Sequence, residues 1–507
     1  MECMTSSRLK HAIIGAAGLT LVGALFASTW PAQDGSQFPR PIAHGPEKHS
    51  PTPSTQATAQ PLAIGLWVRV DDEYRRLHLP EERLGPVIGR SWSHHLIRLA
   101  DGGLLCVCTE RRSDQSGDKV AVGVRWLTET AQTIDEFQVG VFRGEPDSVF
   151  TGAGGGAGSL IFDEPTSTLY LGRVLRNGAF WHLAVDVVDI GARRVVQSID
   201  LEPVPVEAEG GIAETAAPDQ SAPLSPDEMV HAWVPTIDLA PDGGHLAVRS
   251  TSVYRGQIHE TRYWVATVED GRVGRLVAWP LGKDTVSECG ATWSGFATVD
   301  TYFALCYSRP GWSDGAFLRR VHLDGTLITD VPLGVRPGQV VVDRDRSLLF
   351  SWDPFSTAAA RIDLVSGDIR TTPAADRGGL EIADVLRSWI APPARAKWLL
   401  EPALAISPDG SRLYGAELGG MSSSRSAIWV LDSETLEVVE RWEVSGLLTS
   451  IALSADGSLL FSASSVRSST SAEVTIHSTA DGSMRLRTAD LDNHFVMFVP
   501  ELMPAAP

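Results

Sequence analysis

One short pattern recurs along this 507-residue chain: alternating apolar residues run into an Asp-Gly turn and out again into an apolar strand. One copy reads Ile451-Ala-Leu453-Ser-Ala-Asp456-Gly457-Ser-Leu-Leu460-Phe461, and another Leu404-Ala-Ile406-Ser-Pro408-Asp409-Gly410-Ser-Arg-Leu413-Tyr414. A third runs from Ile237 through Asp242-Gly243 to Ala247, and a fourth from Ile97 through Asp101-Gly102 to Cys106. Looser copies surround Pro165, Val299 and Asp345, which makes seven. Period-two alternation gives a strand one apolar face, and Asp-Gly supplies the positive φ of a tight turn. Each copy is therefore a hairpin.

A second hairpin follows each first one, as in Trp264–Gly271, Val321–Gly325, Ile362–Gly367, Ile428–Asp432 and Val474–Gly482. Two hairpins make a four-stranded antiparallel unit. Asp409 and Asp456 lie 47 residues apart, and Val299 and Asp345 lie 46 apart. A four-stranded propeller blade takes about 40–50 residues. The chain is accordingly expected to be all-β, a single β-propeller over 62–500 with a tail at 501–507. Seven turns give seven blades, while the spare strand Phe495–Val499 leaves eight open. Trp67–Val70 and Tyr74–Leu79 resemble a second hairpin lacking its first. They are expected to close the ring with strands from the C-terminus, which removes the open sheet edges.

Ahead of the repeats, a short n-region (1–11) carries Arg8 and Lys10. The uncharged run 12–30 would span roughly 28 Å as a helix, enough for a bilayer core. Positive charge on its N-terminal flank orients the remainder outward. It reads as a signal anchor, with a cleavable signal peptide as the alternative; Ala27-Ser28-Thr29 offers only a poor cleavage site. Either way the propeller is extracytoplasmic, membrane-anchored if uncleaved and secreted or periplasmic if cleaved. Residues 31–61 contain seven prolines and form a linker.

The net charge of −19 argues against nucleic acid, which needs a basic surface to displace counterions. Insertion 202–228 carries seven acidic residues and no basic ones. With 151–158 and 371–400, where one short helix is expected, it exceeds what blade connection needs. Trp389 and Trp398 in the last of these are the candidate partner-binding anchors.

The Ser-Pro-Asp-Gly turns and the Val430-Leu-Asp-Ser-Glu-Thr435 segment resemble the YVTN and related bacterial propeller repeats. Over about 62–490 the chain is also similar to the heavy subunit of quinoprotein amine dehydrogenases. That similarity rests on Glu288-Cys289 with Cys306, on Ile362-Asp-Leu-Val-Ser-Gly-Asp368, and on Trp429-Val-Leu-Asp432. It implies a seven-bladed scaffold whose quinone cofactor sits on a separate small subunit, and a paired Cys289 and Cys306. Those two cysteines also flank the turn near Val299, where a blade could bring them together.

Other motifs read as structure. Gly152–Gly158 leads into a strand rather than a helix N-terminus, so it is no phosphate cradle. Ser116-Gly-Asp-Lys119 falls in a polar hairpin loop from Ser113 to Asp118, not on a helix. His94 and His95 are adjacent and point to opposite faces of a strand. Cys106 and Cys108 share a face as small buried residues. Trp67, Trp126, Trp181, Trp264 and Trp429, placed on third strands, are expected to pack blade against blade. No catalytic, cofactor or metal residues are assigned. The expected function is a binding or scaffold protein with a protein partner and no catalysis of its own. A non-catalytic heavy subunit of an amine-dehydrogenase-like complex and a propeller enzyme with a central-tunnel site are the alternatives.

Overall fold

The computed structural model describes strands and tight turns between residues 64 and 499. Residues 1–63, the connections 144–159, 206–229, 280–292, 308–315, 373–402, 418–424, 466–471 and 489–495, the tail 500–507 and several shorter stretches lie outside the described residues. The expected membrane segment 12–30, the linker and the short helix within 371–400 therefore lie outside them, apart from Thr371 and Thr372. Among the described residues no helix is long and apolar enough to cross a membrane.

The described strands form eight antiparallel sheets, each built on a four-strand path, with short extra strands in three of them. Blade 1 joins Val496–Phe498 to Ile64–Val70, Glu73–Leu79 and Arg83–Leu84. Blades 2 to 8 follow in chain order over 94–143, 160–205, 230–278, 293–332, 339–371, 404–445 and 447–487. The protein is an eight-bladed β-propeller.

Alternation along each strand explains how the blades stack. In blade 5, Tyr302, Ala304 and Cys306 join the apolar cluster shared with blade 4, while Phe303 and Leu305 join the one shared with blade 6. Such clusters run all the way round. Blades 2 and 3 share Val107 and Leu171, and blades 3 and 4 share Val185 and Val248. Blades 6, 7 and 8 share Trp352, Ile428 and Leu448; blades 8 and 1 share Phe461 and Leu66; blades 1 and 2 share Trp67 and Cys106. Each large side chain so buried contributes about 1.5–3 kcal/mol.

The turns owe their shape to side chains fixed by the repeat. Ser407 Oγ donates to Asp409 Oδ1 at 2.6 Å and accepts the Arg412 N–H at 2.9 Å. Ser454 repeats both bonds, to Asp456 at 2.6 Å and from Leu459 at 3.0 Å. Gly457 has φ +72°, and a Cβ there would lie 2.4 Å from Pro408 Cδ in the preceding blade. Glycine is required twice over at that position.

The seven turns are the first turns of blades 2 to 8, that of blade 2 (Asp101-Gly102) lying outside the described residues. Blade 1 has no such turn, because its first strand comes from the far end of the ring. Counting turns therefore falls one short, and eight is the blade number. The closing strand Val496–Phe498 lies within the spare strand 495–499 and pairs Val68 with Phe498 and Val70 with Val496. One placement needs correction: Ile64–Val70 and Glu73–Leu79 are the second and third strands of blade 1, not its third and fourth. The C-terminus supplies a single strand, so the N-terminus must supply three.

Candidate functional site

The second and third strands have 11 and 11 residues in blade 2, 10 and 10 in blade 3, and 10 and 13 in blade 4. In blades 1 and 6 they have seven and six, and the described strands of blades 5, 7 and 8 have six to eight, with 308–315, 418–424 and 466–471 between them outside the described residues. In blades 2 and 3 the additional residues lie past the innermost strand, whereas in blade 4 Val230–Ala232 pairs with Ser252–Tyr254. In blade 2, Leu104–Cys108 pair with His94–Arg98, and Thr109–Asp114 continue beyond them. Three neighbouring blades, 2 to 4, thus carry the longest hairpins among the described residues.

Ion pairs and stacking tie these three blades together. Arg173 donates to both carboxylate oxygens of Asp186, at 2.7 and 3.1 Å, and lies 4.5 Å from the centre of the Phe142 ring in blade 2. Ser198 Oγ donates to the same carboxylate at 2.5 Å. Arg125 links Glu110 and Glu136 at 2.9 and 3.1 Å. Arg262 of blade 4 reaches Glu202 at 3.1 Å. Phe180 stands 45% exposed at the end of the blade 3 hairpin.

Nearer the axis, Asp238 on the innermost strand of blade 4 gathers two neighbours. Its Oδ2 accepts the Phe296 N–H of blade 5 at 2.5 Å, and its Oδ1 accepts Arg344 Nη2 of blade 6 at 2.8 Å. Burial pushes the Asp238 carboxyl above its ordinary range, against the pull of Arg344 and the Phe296 N–H. Beside it, Tyr263, Trp279, Phe296 and Tyr302 pack edge and face, with ring centres 5.0–6.1 Å apart. Tyr302 donates to Ser294 Oγ at 3.0 Å, and Arg249 to Thr236 Oγ1 at 3.2 Å. Burial pushes Tyr263 up to about 12 and Tyr302 up as well, so both phenols hold their protons.

The thiols of Cys106 and Cys108 are buried side by side; burial raises Cys106 to about 12 and Cys108 above its usual value. Thiols held protonated make poor nucleophiles and poor metal ligands. Among the described residues no three His, Cys, Asp or Glu side chains gather as a metal site.

Of the residues singled out from sequence, Trp389, Trp398, Cys289, Gly152–Gly158 and Ser116 lie outside the described residues. Cys306 is buried and disulfide-bonded, whereas Cys106 and Cys108 are free. Ser113, Asp114, Asp118 and Lys119 belong to strands, not to a loop: Ser113 pairs with Asp118 and Asp114 with Gly117, leaving a turn of two residues. Their polarity suggested a loop. The five tryptophans all pack in clusters between blades, with Trp67 on a second strand and the others on third strands. Asp238, Arg344 and the long hairpins of blades 2 to 4 were missed. The hairpin of blade 2 had a signal: Leu104–Asp114 and Gly117–Leu127 pair along their whole length.

No protein-family model matches the chain, and no curated protein matches it. Among solved structures it is similar to the dihydro-heme d1 dehydrogenase NirN in complex with DHE, at 12% identity and TM-score 0.46, covering 88% of this chain and 76% of that one. It is also similar to the hydrazine synthase of Kuenenia stuttgartiensis, at 15% identity and TM-score 0.35, covering 84% and 99%. Likenesses this distant say nothing of function.

Proposed function

We propose that this chain is an exported binding or scaffold protein that receives a protein partner on the long hairpins of blades 2 to 4 and performs no chemistry of its own. The observation that carries this is the length of those hairpins, built on strands of 10 to 13 residues, whereas the closing blade is made with strands of seven. The buried ionisable groups described support a structural interior: Asp186 is held by Arg173 and Ser198 within blade 3, Asp238 joins blades 4, 5 and 6, and the thiols and phenols keep their protons. The segment 12–30 would hold the body at a membrane, or release it if cleaved.

A second reading, the non-catalytic heavy subunit of an amine-dehydrogenase-like complex, draws on the disulfide-bonded Cys306. The eighth blade departs from the seven that this resemblance implies.

The test replaces residues 111–120 by Asn-Gly, which keeps Glu110 opposite Ala121 as the last pair of the blade 2 hairpin. The intact body should capture a defined protein from the envelope fraction, and the shortened body should lose it without losing its fold. Equal capture by both, or turnover of a substrate by the isolated chain, overturns the proposal.

A further inference from the structure

Blade 8 turns a polar face towards blade 7. On its third strand, Ala472–Ser478, Val474 and Ile476 pack towards blade 1, so Glu473, Thr475 and His477 point the other way. His477 is only 5% exposed, although it lies between Leu460 and the 57% exposed Met484 of the outermost strand. Trp442, from the outermost strand of blade 7 (Val438–Ser445), covers it with ring centres 5.6 Å apart and planes 22° apart. The indole fills a slot that Gly482 keeps open, since a Cβ there would lie 2.4 Å from Trp442 Nε1.

This setting holds the imidazole neutral. Its Nδ1 donates to the Gly482 carbonyl at 3.4 Å, which leaves the lone pair on Nε2. That atom is buried and has no hydrogen-bond partner among the described residues. The charged groups around it are engaged elsewhere. Glu440 of blade 7 accepts Trp442 Nε1 at 2.7 Å, and Glu473 is bound by Arg487 at 2.8 Å. In the adjoining turn, Asp481 accepts Ser483 Oγ at 2.7 Å and is drawn on by Arg485. Tyr414, with its ring 5.8 Å from Trp442, is kept protonated by burial. A proton arriving at Nε2 would therefore make a buried, charged N–H without an acceptor. The indole face attracts a cation, but burial wins: it holds His477 below its ordinary value, against the pull of the Gly482 carbonyl.

We infer that His477 is an acid-operated latch: a proton taken up at Nε2 drives the imidazole out from beneath Trp442 and opens the rim between blades 7 and 8. Further in, Ile428, Val430, Leu448 and Ile451 stay packed, so the ring itself remains closed. The sign follows from the burial. Above the ordinary histidine value both forms are neutral and the latch is shut; below it the open form takes the proton first. Each pH unit lower should then raise the open population about tenfold, until the closed form titrates as well.

The test uses the full chain. The emission of Trp442, taken as wild type minus Trp442→Phe, should shift to the red as pH falls from about 7.5 to about 5, and return on neutralisation. Backbone hydrogen exchange in 438–445 and 472–478, corrected for its intrinsic rate, should rise about tenfold per pH unit below about 6.5, with no such rise in Leu348–Asp353 of blade 6. His477→Gln keeps a donor for Gly482 and takes no proton, so both changes should vanish. Exchange of the imidazole C2 hydrogen of His477, read by mass spectrometry on the unaltered chain, follows the same titration without any substitution. A midpoint at or above about 6.5 overturns the latch. So does quenching without a red shift, an unchanged pH response in His477→Gln, or exchange that rises equally in every blade.

Discussion

Arg344 of blade 6 donates to Asp238 of blade 4 across 2.8 Å, passing over blade 5, whose Phe296 N–H binds the same carboxylate. Three blades meet on one side chain. Asp238→Ala would leave the buried Phe296 N–H without an acceptor, at about 1–3 kcal/mol. Arg344 is 56% exposed and regains water, so the loss should stay below the 3–5 kcal/mol of a fully buried pair. Asp238→Asn keeps an oxygen for Phe296 and should cost about 1 kcal/mol. The pH dependence has a definite sign. The carboxyl is raised in the folded protein, so its contribution is greatest below its unfolded value and declines as pH rises through the folded one. The melting advantage of wild type over Asp238→Asn should therefore grow from pH 7 towards pH 4. A constant or shrinking advantage would show that burial does not dominate there.

Ring closure rests on the strand Val496–Phe498 and its contacts with blade 8. Phe498 packs against Phe461, with ring centres 6.1 Å apart, and its N–H reaches Ser450 Oγ at 3.0 Å. Thr449 Oγ1 donates to the Val496 carbonyl at 3.0 Å. Phe498→Ala should cost about 3–4 kcal/mol, as for other buried phenylalanines. Removing 496–507 should also expose the edge of Ile64–Val70, so aggregation on warming, followed by light scattering, should accompany the lower melting point. A truncated chain that melts like the full one would place closure elsewhere.

The blade pattern was legible because its causes are local. Asp409 and Ser407 make their turn within five residues, and Tyr302 and Phe303 reveal the two faces of a strand by adjacency alone. Blade number was not local. It depended on Val496–Phe498 meeting Ile64–Val70, a contact between opposite ends of the propeller that no turn residue announces. The long hairpin of blade 2 was half legible: Cys106 and Cys108 alternate with apolar neighbours, but Ser113 to Asp118 are polar and read as loop. Asp238 was invisible, since Ile237-Asp-Leu239 looks like any strand whose second face meets water. Its partner Arg344 lies 106 residues away.

The repeat turn offers a third check. Hydrogen bonds from Ser407 and Ser411 lower Asp409 to about 2. The stability it contributes is present above its unfolded value and lost as pH falls from about 4 towards 2. Asp409→Ala should flatten the acid limb of the unfolding curve in that window. Gly457→Ala meets both a positive φ and Pro408, and should cost at least 1–2 kcal/mol at any pH. If Gly457→Ala proves neutral by urea unfolding, neighbouring turns do not bear on one another.

The last expectation concerns Cys306, fully buried at the interface of blades 4 and 5 and disulfide-bonded. Cys289 is the partner expected from the sequence, and the bond would close a loop of about 18 residues, worth around 3 kcal/mol if unstrained. Peptide mapping without reduction should recover the two cysteines in one cross-linked fragment, with Cys106 and Cys108 as free thiols. Cys306→Ser should cost more than Cys289→Ser, because Cys306 also fills space beside Phe317 and Tyr302 in the shared cluster. Cys106→Ser makes a useful comparison, since it places a hydroxyl in an equally dry interface without breaking a bond. If dithiothreitol lowers the melting temperature of wild type but not of Cys289→Ser, the pairing holds. An equal drop in both would assign Cys306 another partner.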